Sequence, residues 1–374
     1  MSLSLPADPP SARSLTGVLP ELFAATTGSS TWFPSSRSAV LVLVDGLGRQ
    51  NLTARSGHAR FLTSQLAKKD ALRSVFPSTT ATALTGLLTG APSGEHGIVG
   101  YRVRVPGTDR TPNQLKGWET DGLDPLTWQR CTPLFAQTGQ PCFVVSRAKY
   151  AGTGFTQAIQ RGATFLGAET LDERLARGAE LAAQHDGAIV YVYAPELDTV
   201  GHAAGWESDR WLTALEQLDA EVARFAAALA RDVGAVLTAD HGMVDVPRHR
   251  QVLLTEGDRL LDAVRLIAGE PRMLHLYTED GEADGVLSRW RDAESHRSWV
   301  MSRDEAIAAG LFGPTVDDEV RPRIGDVLVA ARAPVAYYDD RLSDKKPQRM
   351  IGQHGSLTEQ ERIVPLVRLG AYAS

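Results

Sequence analysis

The run Ala39-Val-Leu-Val-Leu-Val44 stops abruptly at Asp45-Gly46, and its reading decides the fold. A continuous β-branched and leucine run bounded by glycine is the pattern of a strand buried on both faces. Three further runs behave alike. Pro141-Cys-Phe-Val-Val145 leads into Ser146-Arg147, Ala188-Ile-Val-Tyr-Val-Tyr193 into Ala-Pro-Glu-Leu-Asp198, and Gly234-Ala-Val-Leu-Thr238 into Ala-Asp240-His241. Helical stretches lie between them, at 79–90, 171–185 and 209–231; the last carries Trp211, Leu215, Leu218, Val222 and Phe225 at helical spacing. Strands alternating with helices imply a largely parallel sheet covered on both faces, an α/β/α sandwich of three layers. Ligands of such sheets gather beyond the carboxyl ends of the strands. Asp45, Asp198, Asp240 and His241 all sit just past such an end.

Outward from that sheet, the catalytic core is expected at 37–246 plus 346–374. Residues 1–36, rich in Pro, Ser and Thr, read as an N-terminal leader with one short helix around 19–25. Between 247 and 345 the apolar runs shorten, as in Met273-Leu-His-Leu-Tyr277 and Asp326-Val-Leu-Val-Ala330, which implies a smaller α+β cap insert. The chain has 374 residues, 43% hydrophobic and 22% charged, the balance of a soluble globular protein. A net charge of −6 gives no general attraction for nucleic acid or an acidic membrane. An anionic substrate would therefore need a local site, such as bound cations. No apolar run resembles a secretory signal core, and none approaches the roughly 18 residues that span a bilayer. Cys131 and Cys142 form no metal knuckle and read as free thiols, so a cytoplasmic location is expected.

The chemistry-bearing residues are scattered Asp and His. In Asp240-His241-Gly242, neighbouring side chains on a regular strand would point to opposite faces. Both reach one ion only if the chain bends, which Gly242 permits. Asp198-Thr-Val-Gly-His202 places two ligand types four residues apart, on one side of a helical turn. The glycines at 201 and 205 favour a tight, ligand-bearing turn there over a long helix. His354 stands in Gly-Gln-His-Gly, which suits close backbone approach to a ligand. The blander alternatives are a helix cap for Asp45 or Asp240 and an exposed loop for His354. In Phe76-Pro-Ser-Thr-Thr80-Ala-Thr-Ala-Leu, a hydroxyl at a helix start is ordinarily a cap. The same position faces free N–H groups and the positive end of the dipole, which suits a phosphoryl oxyanion. Thr79 and Thr80 are both candidates for a nucleophile. Six Asp and His side chains suffice for two three-ligand sites with open positions, and mixed O/N ligation suits zinc. Two metals about 4 Å apart clamp the attacking and leaving oxygens of an in-line phosphoryl displacement.

Taken in order, VLVDGLG, FPSTTATALTGLLTGAPSGEHGIVG, ELDTVGH, TADHGM and GQHGSL resemble the alkaline phosphatase superfamily. The branch is that of nucleotide pyrophosphatases/phosphodiesterases, with similarity also to phosphonoacetate hydrolases. The motifs run from Val42 to Leu357. The resemblance implies one metal bound by Asp45, Asp240, His241 and the nucleophile, and another by Asp198, His202 and His354. Aligning back from Thr89-Gly90 places the nucleophile at Thr80, with Thr79 as fallback. The family's Asn donor after His-Gly-Ile-Val-Gly is replaced here by Tyr101-Arg102. Arg147 and Lys149 resemble the basic pair of phosphonoacetate hydrolases. The implied activity is hydrolysis of a phosphodiester or nucleotide pyrophosphate through a phosphothreonine at a two-zinc centre. A phosphonate or phosphomonoester substrate is the alternative, and a non-catalytic metal- or phospholigand-binding protein is the rival of another class.

Overall fold

The protein is described from a computed structural model covering residues 5–6, 8–9, 11–67 and 70–373. Residues 1–4, 7 and 10 of the expected leader lie outside it. All seven residues of the strand Ser38–Val44 are buried, as a strand at the middle of a covered sheet must be. It pairs in parallel with Ile189–Ala194 on one side and Val233–Thr238 on the other. Cys142–Ser146 and then Thr164–Gly167 extend the sheet in parallel beyond Ile189–Ala194. At the opposite edge Val367–Gly370 runs antiparallel to Val233–Thr238. The result is a six-stranded, largely parallel sheet with Ser38–Val44 inside it.

The helices cover both faces. Leu171–Gln184 starts at a capping box of Thr170 and Glu173 and lies over Val40, Val190 and Val192. A Cβ on Gly178 would stand 2.8 Å from Val192 Cγ2, so glycine sets how closely this helix approaches. Asp209–Ala228, capped by Ser208, buries Trp211, Leu215, Leu218, Val222 and Phe225, the stripe legible in the sequence. The other layer contains Val18–Thr26 and Thr80–Thr89. The leader is therefore packed from Leu15 onward: Leu15, Val18, Leu19 and Leu22 are fully buried in the main core.

A second, antiparallel sheet occupies part of the 247–345 stretch, in the order Ser298–Ser302, Val327–Ala331, Met273–Thr278, Val264–Glu270. Strand alternation divides its side chains. Met273, Met301 and Leu328 pack toward Phe76 and Phe312, whereas Leu274, Leu276, Val300 and Val329 pack with Val286 and Trp290 of the helix Ala283–Glu294. The sheet thus has cores on both faces. No helix among the described residues is long and apolar enough to cross a membrane.

Candidate metal centre

The carboxyl end of the main sheet gathers every Asp and His expected to bind metal. Asp45 follows Ser38–Val44 and enters a turn at Gly46, whose φ is 76°, so it caps no helix. Asp240 and His241 follow Val233–Thr238 and are fully buried. Asp198 and His202 share one side of the helix Glu196–Ala204. Gly201 does not break this helix; its missing Cβ admits Met243, whose Sδ lies 2.2 Å from where that atom would stand. Gly205, at φ 87°, ends it. His354 is buried, not on an exposed loop.

The three imidazoles are oriented alike. Nδ1 of His202, His241 and His354 faces the carbonyl of Gly352 (2.7 Å), Gly242 (3.1 Å) and Ser78 (3.0 Å) respectively. A carbonyl only accepts, so each Nδ1 carries the proton and each Nε2 presents a lone pair to the centre. Those lone pairs meet other acceptors. His241 Nε2 is 3.3 Å from Asp45 Oδ1 and 3.4 Å from Asp240 Oδ2, and His202 Nε2 is 3.2 Å from Asp198 Oδ1. All three carboxylate oxygens are buried without a hydrogen-bond partner. Acceptors crowded this way are costly unless a cation lies between them. The spacing fits one: ligands at about 2.0–2.2 Å from a tetrahedral ion are about 3.3–3.6 Å apart. Mutual grouping within 4.8 Å unites Asp45, Asp240 and His241, and separately Asp198, His241 and His354. His241 borders both groups because its ring stacks on that of His354, centroids 3.5 Å apart. His202 joins the second through Asp198, to which His354 Nε2 also lies at 3.9 Å.

Thr80 opens the buried helix Thr80–Thr89, and its Oγ1 is 3.1 Å from His241 Nε2. Thr79 stands one residue earlier as N-cap, and its side chain makes no capping bond. Of the two candidates, Thr80 is the one beside the Asp45/Asp240/His241 group.

Supporting residues, which the sequence reading missed, hold the ligands. The Tyr193 hydroxyl donates to Asp45 Oδ2 and leaves Oδ1 to the centre. Asp240 Oδ1 accepts the N–H groups of Gly46 (3.1 Å) and His241 (3.0 Å). Buried Asn51 clips the Asp45 loop to the Asp240 loop, donating to Met243 O at 3.0 Å and accepting Met243 N–H at 3.1 Å. Tyr193 had a visible signal, since alternation along Tyr191-Val-Tyr193 aims both rings to one face; Asn51 had none.

Burial first, and then the charges of Asp240 and Asp198, push the Asp45 carboxyl well above the usual range, with Tyr193 opposing. Burial likewise raises Asp240, against the pull of His241 and the Gly46 N–H. Burial, with His241 and His202 alongside, holds His354 well below an ordinary imidazole. A cation must displace the carboxyl protons to bind. Metal affinity is therefore expected to rise with pH above the ordinary carboxylate range, with protons released on binding. Chelator-competition titrations at pH 5.5 and 7.5 check this; equal affinities would contradict it.

The four expected substrate contacts fare differently. Lys149 Nζ lies 4.9 Å over the Tyr150 ring, which meets the Tyr193 ring edge-on at 5.9 Å. Lys149 is thus linked to Asp45 through two aromatic rings. Arg147 donates to Glu196 Oε1 at 2.7 Å, a carboxylate that also receives buried Arg174. Arg102 is exposed, with its guanidinium on the Thr111 carbonyl at 3.2 Å, and no metal-ligand candidate is among its partners. Tyr101 is half-buried, its carbonyl accepting the Gln114 N–H.

The site is thus a largely parallel sheet, covered by helices, with Asp and His side chains gathered beyond its strand ends in two groups that could each hold a metal ion. Residues 39–357 match the profile of the type I phosphodiesterase / nucleotide pyrophosphatase family, and the chain belongs to that family. It is a hydrolase acting on phosphoester bonds. Among solved structures it is similar to murine ectonucleotide pyrophosphatase / phosphodiesterase 5, with a TM-score of 0.67 and 17% identity over 88% of this chain and 87% of that one. An inactive form of the murine protein in complex with AMP gives 0.66 and 17% over 89% and 88%. Phosphonoacetate hydrolase from Sinorhizobium meliloti 1021 in complex with phosphonoformate gives 0.68 and 19% over 90% and 91%. The curated proteins gave no match.

Proposed function

We propose that this chain is a two-zinc phosphodiesterase or nucleotide pyrophosphatase that works through a phosphothreonine on Thr80. One observation carries the reading: Thr80 Oγ1, Asp45 Oδ1 and Asp240 Oδ2 converge on His241 Nε2 at 3.1–3.4 Å, and neither carboxylate oxygen has a hydrogen bond. Asp45, Asp240, His241 and Thr80 would hold one ion; Asp198, His202 and His354 would hold the other. Bound zinc lowers the pKa of a coordinated hydroxyl and neutralises phosphoryl oxygens.

Thr80 Oγ loses its proton, bonds to phosphorus in line and displaces the leaving oxygen, which takes up a proton. Water then attacks the phosphothreonine from the vacated side and returns Thr80 with its hydroxyl. The free N–H groups at the start of the helix Thr80–Thr89 would donate to the phosphoryl oxygens, which carry the negative charge. The leaving group departs on the Asp198/His202 side, the more open one, with side chains 17% and 22% exposed against 0–4% for Asp45, Asp240 and His241. Lys149 and Tyr150, reached from Asp45 through Tyr193, offer a cation and a ring to an anionic substrate. Arg147 shares the Glu196 carboxylate with Arg174, which leaves that pair of guanidiniums one net positive charge. Solved relatives in complex with AMP and with phosphonoformate support an anionic small-molecule substrate.

Purified protein should bind about two zinc ions and hydrolyse a bis-aryl phosphate faster than the matching monoester. Chelator should abolish both rates and zinc restore them. Lys149→Ala should raise KM for a substrate with an anionic leaving group more than for a neutral one. Bound metal with no turnover on any phosphoester would leave a metal-binding protein instead.

A further inference from the structure

The second sheet reaches into the metal centre. Its hairpin Val264–Glu270/Met273–Thr278 turns at Pro271-Arg272, and that turn is anchored to the core. Fully buried Arg272 forms a bidentate pair with Glu361, at 2.7 and 2.8 Å, and donates to the carbonyls of Ala331, Ala333 and Val335. Glu361 in turn accepts the Ser356 N–H at 3.0 Å, two residues beyond His354.

Held by this anchor, Glu270 projects its carboxyl against the His354 loop. It is 7% exposed, and its Oε1 is buried without a hydrogen-bond partner. Its Oε2 lies 4.0 Å from His354 Nδ1, and the Thr79 hydroxyl neighbours the same carboxyl. The chain makes room for it at Gly355: φ is 125°, and a Cβ there would fall 2.4 Å from Glu270 Cδ. The same corner ties the two ligand loops together, with Ser78 N–H on Gly355 O at 3.1 Å and Ser78 Oγ on Ser356 O at 2.7 Å.

A buried carboxylate with an unmet oxygen does not persist for stability alone, since its desolvation costs free energy. Arg272, the buried cation whose charge acts on Glu270, is already committed to Glu361. What Glu270 does face is the back of His354 and the hydroxyl that precedes Thr80. The His354 Nδ1–H goes to Ser78 O at 3.0 Å, so Glu270, 4.0 Å away, acts at one remove. It backs the corner where Ser78 holds the ring, and outer contacts of this kind orient a metal-binding histidine.

We propose that Glu270 is a positioning residue. Through it the second sheet holds His354 and the Thr79–Thr80 helix start in register for the cations. The inference rests on the reading of His354 as a metal ligand.

The test compares Glu270→Leu, which fills the space without an acceptor, and Glu270→Gln, which keeps an acceptor for Thr79. Zinc dissociation constants come from chelator competition, and melting temperatures from the metal-free proteins. Glu270→Leu is expected to weaken zinc binding about 10–100-fold while the metal-free protein melts no lower than wild type. Glu270→Gln should stay within about threefold of wild type, below that range. Wild-type affinity in Glu270→Leu would overturn the proposal. So would affinity falling in both variants in step with the metal-free melting temperature, which marks a purely structural role. If wild type itself binds no zinc, the metal-centre reading fails instead.

Discussion

Replacing Thr80 by Ala should lower kcat for a diester by about 10⁴–10⁶-fold, the range seen when a covalent nucleophile is removed. The fold should survive, because the hydroxyl's hydrogen-bond partner is His241 Nε2 at 3.1 Å, within the site itself, and the helix Thr80–Thr89 is held by burial along its whole length. Thr80→Ser keeps the hydroxyl and should retain turnover. Thr79→Ala is the discriminating control. Its hydroxyl sits by Glu270, whereas the hydroxyl against His241 Nε2 is that of Thr80, so losing the Thr79 hydroxyl should cost far less. Steady-state kinetics on the three variants decide between the neighbouring threonines. A larger effect at Thr79 than at Thr80 would reassign the nucleophile.

Asp240→Asn should be nearly as damaging, for a different reason. An Asn can still accept the Gly46 and His241 N–H groups through Oδ1, so the two loops keep their places. The second position, Asp240 Oδ2, becomes an amide that donates to His241 Nε2, 3.4 Å away in the native site, and that blocks the lone pair. Bound metal should fall from two ions to one. Activity should drop about 10³-fold, for the roughly 4 kcal/mol that metal stabilisation of transition-state charge supplies. Stability should move the other way. A carboxyl with a raised folded pKa loses stability as pH rises from its unfolded value through its folded one. Asp240 is such a group. The metal-free variant is therefore expected to melt no lower than metal-free wild type at neutral pH. Metal analysis with thermal melts at pH 7.5 checks both halves, and unchanged metal content would contradict the ligand assignment.

The sheet was legible because its strands are buried on both faces. Runs such as Ala39–Val44 need no alternation to be recognised, and three of the four lead into a candidate ligand. Chain order alone could not show that Ser38–Val44 lies between Ile189–Ala194 and Val233–Thr238, the register that brings Asp45, Asp198 and Asp240 together. Glycine misled in one place. Gly201 and Gly205 argued for a tight turn, but only Gly205 ends the helix, while Gly201 is there for Met243. The short helix expected around 19–25 is present as Val18–Thr26, but its packing was not legible, because Leu15, Val18, Leu19 and Leu22 form a stripe too short to mark the Pro/Ser/Thr-rich leader as part of the core. Supporting residues were the least legible. Tyr193, Asn51 and Glu270 act through contacts far apart in the chain, and nothing local marks a buried Asn or Glu as a partner of a distant loop. Among the proposed substrate contacts, the resemblance to phosphonoacetate hydrolases suggested that Arg147 and Lys149 act as a pair. The structure gives Arg147 to Glu196 and sets Lys149 over Tyr150.

The central claim is a covalent phosphothreonine at Thr80 between the two ligand groups, and stereochemistry at phosphorus tests it most directly. A chiral phosphorothioate diester hydrolysed in isotopically labelled water passes through two in-line displacements if Thr80 is the nucleophile. Net retention of configuration is the expected result. Net inversion would mean that water attacks the substrate directly, and Thr80 would lose its role.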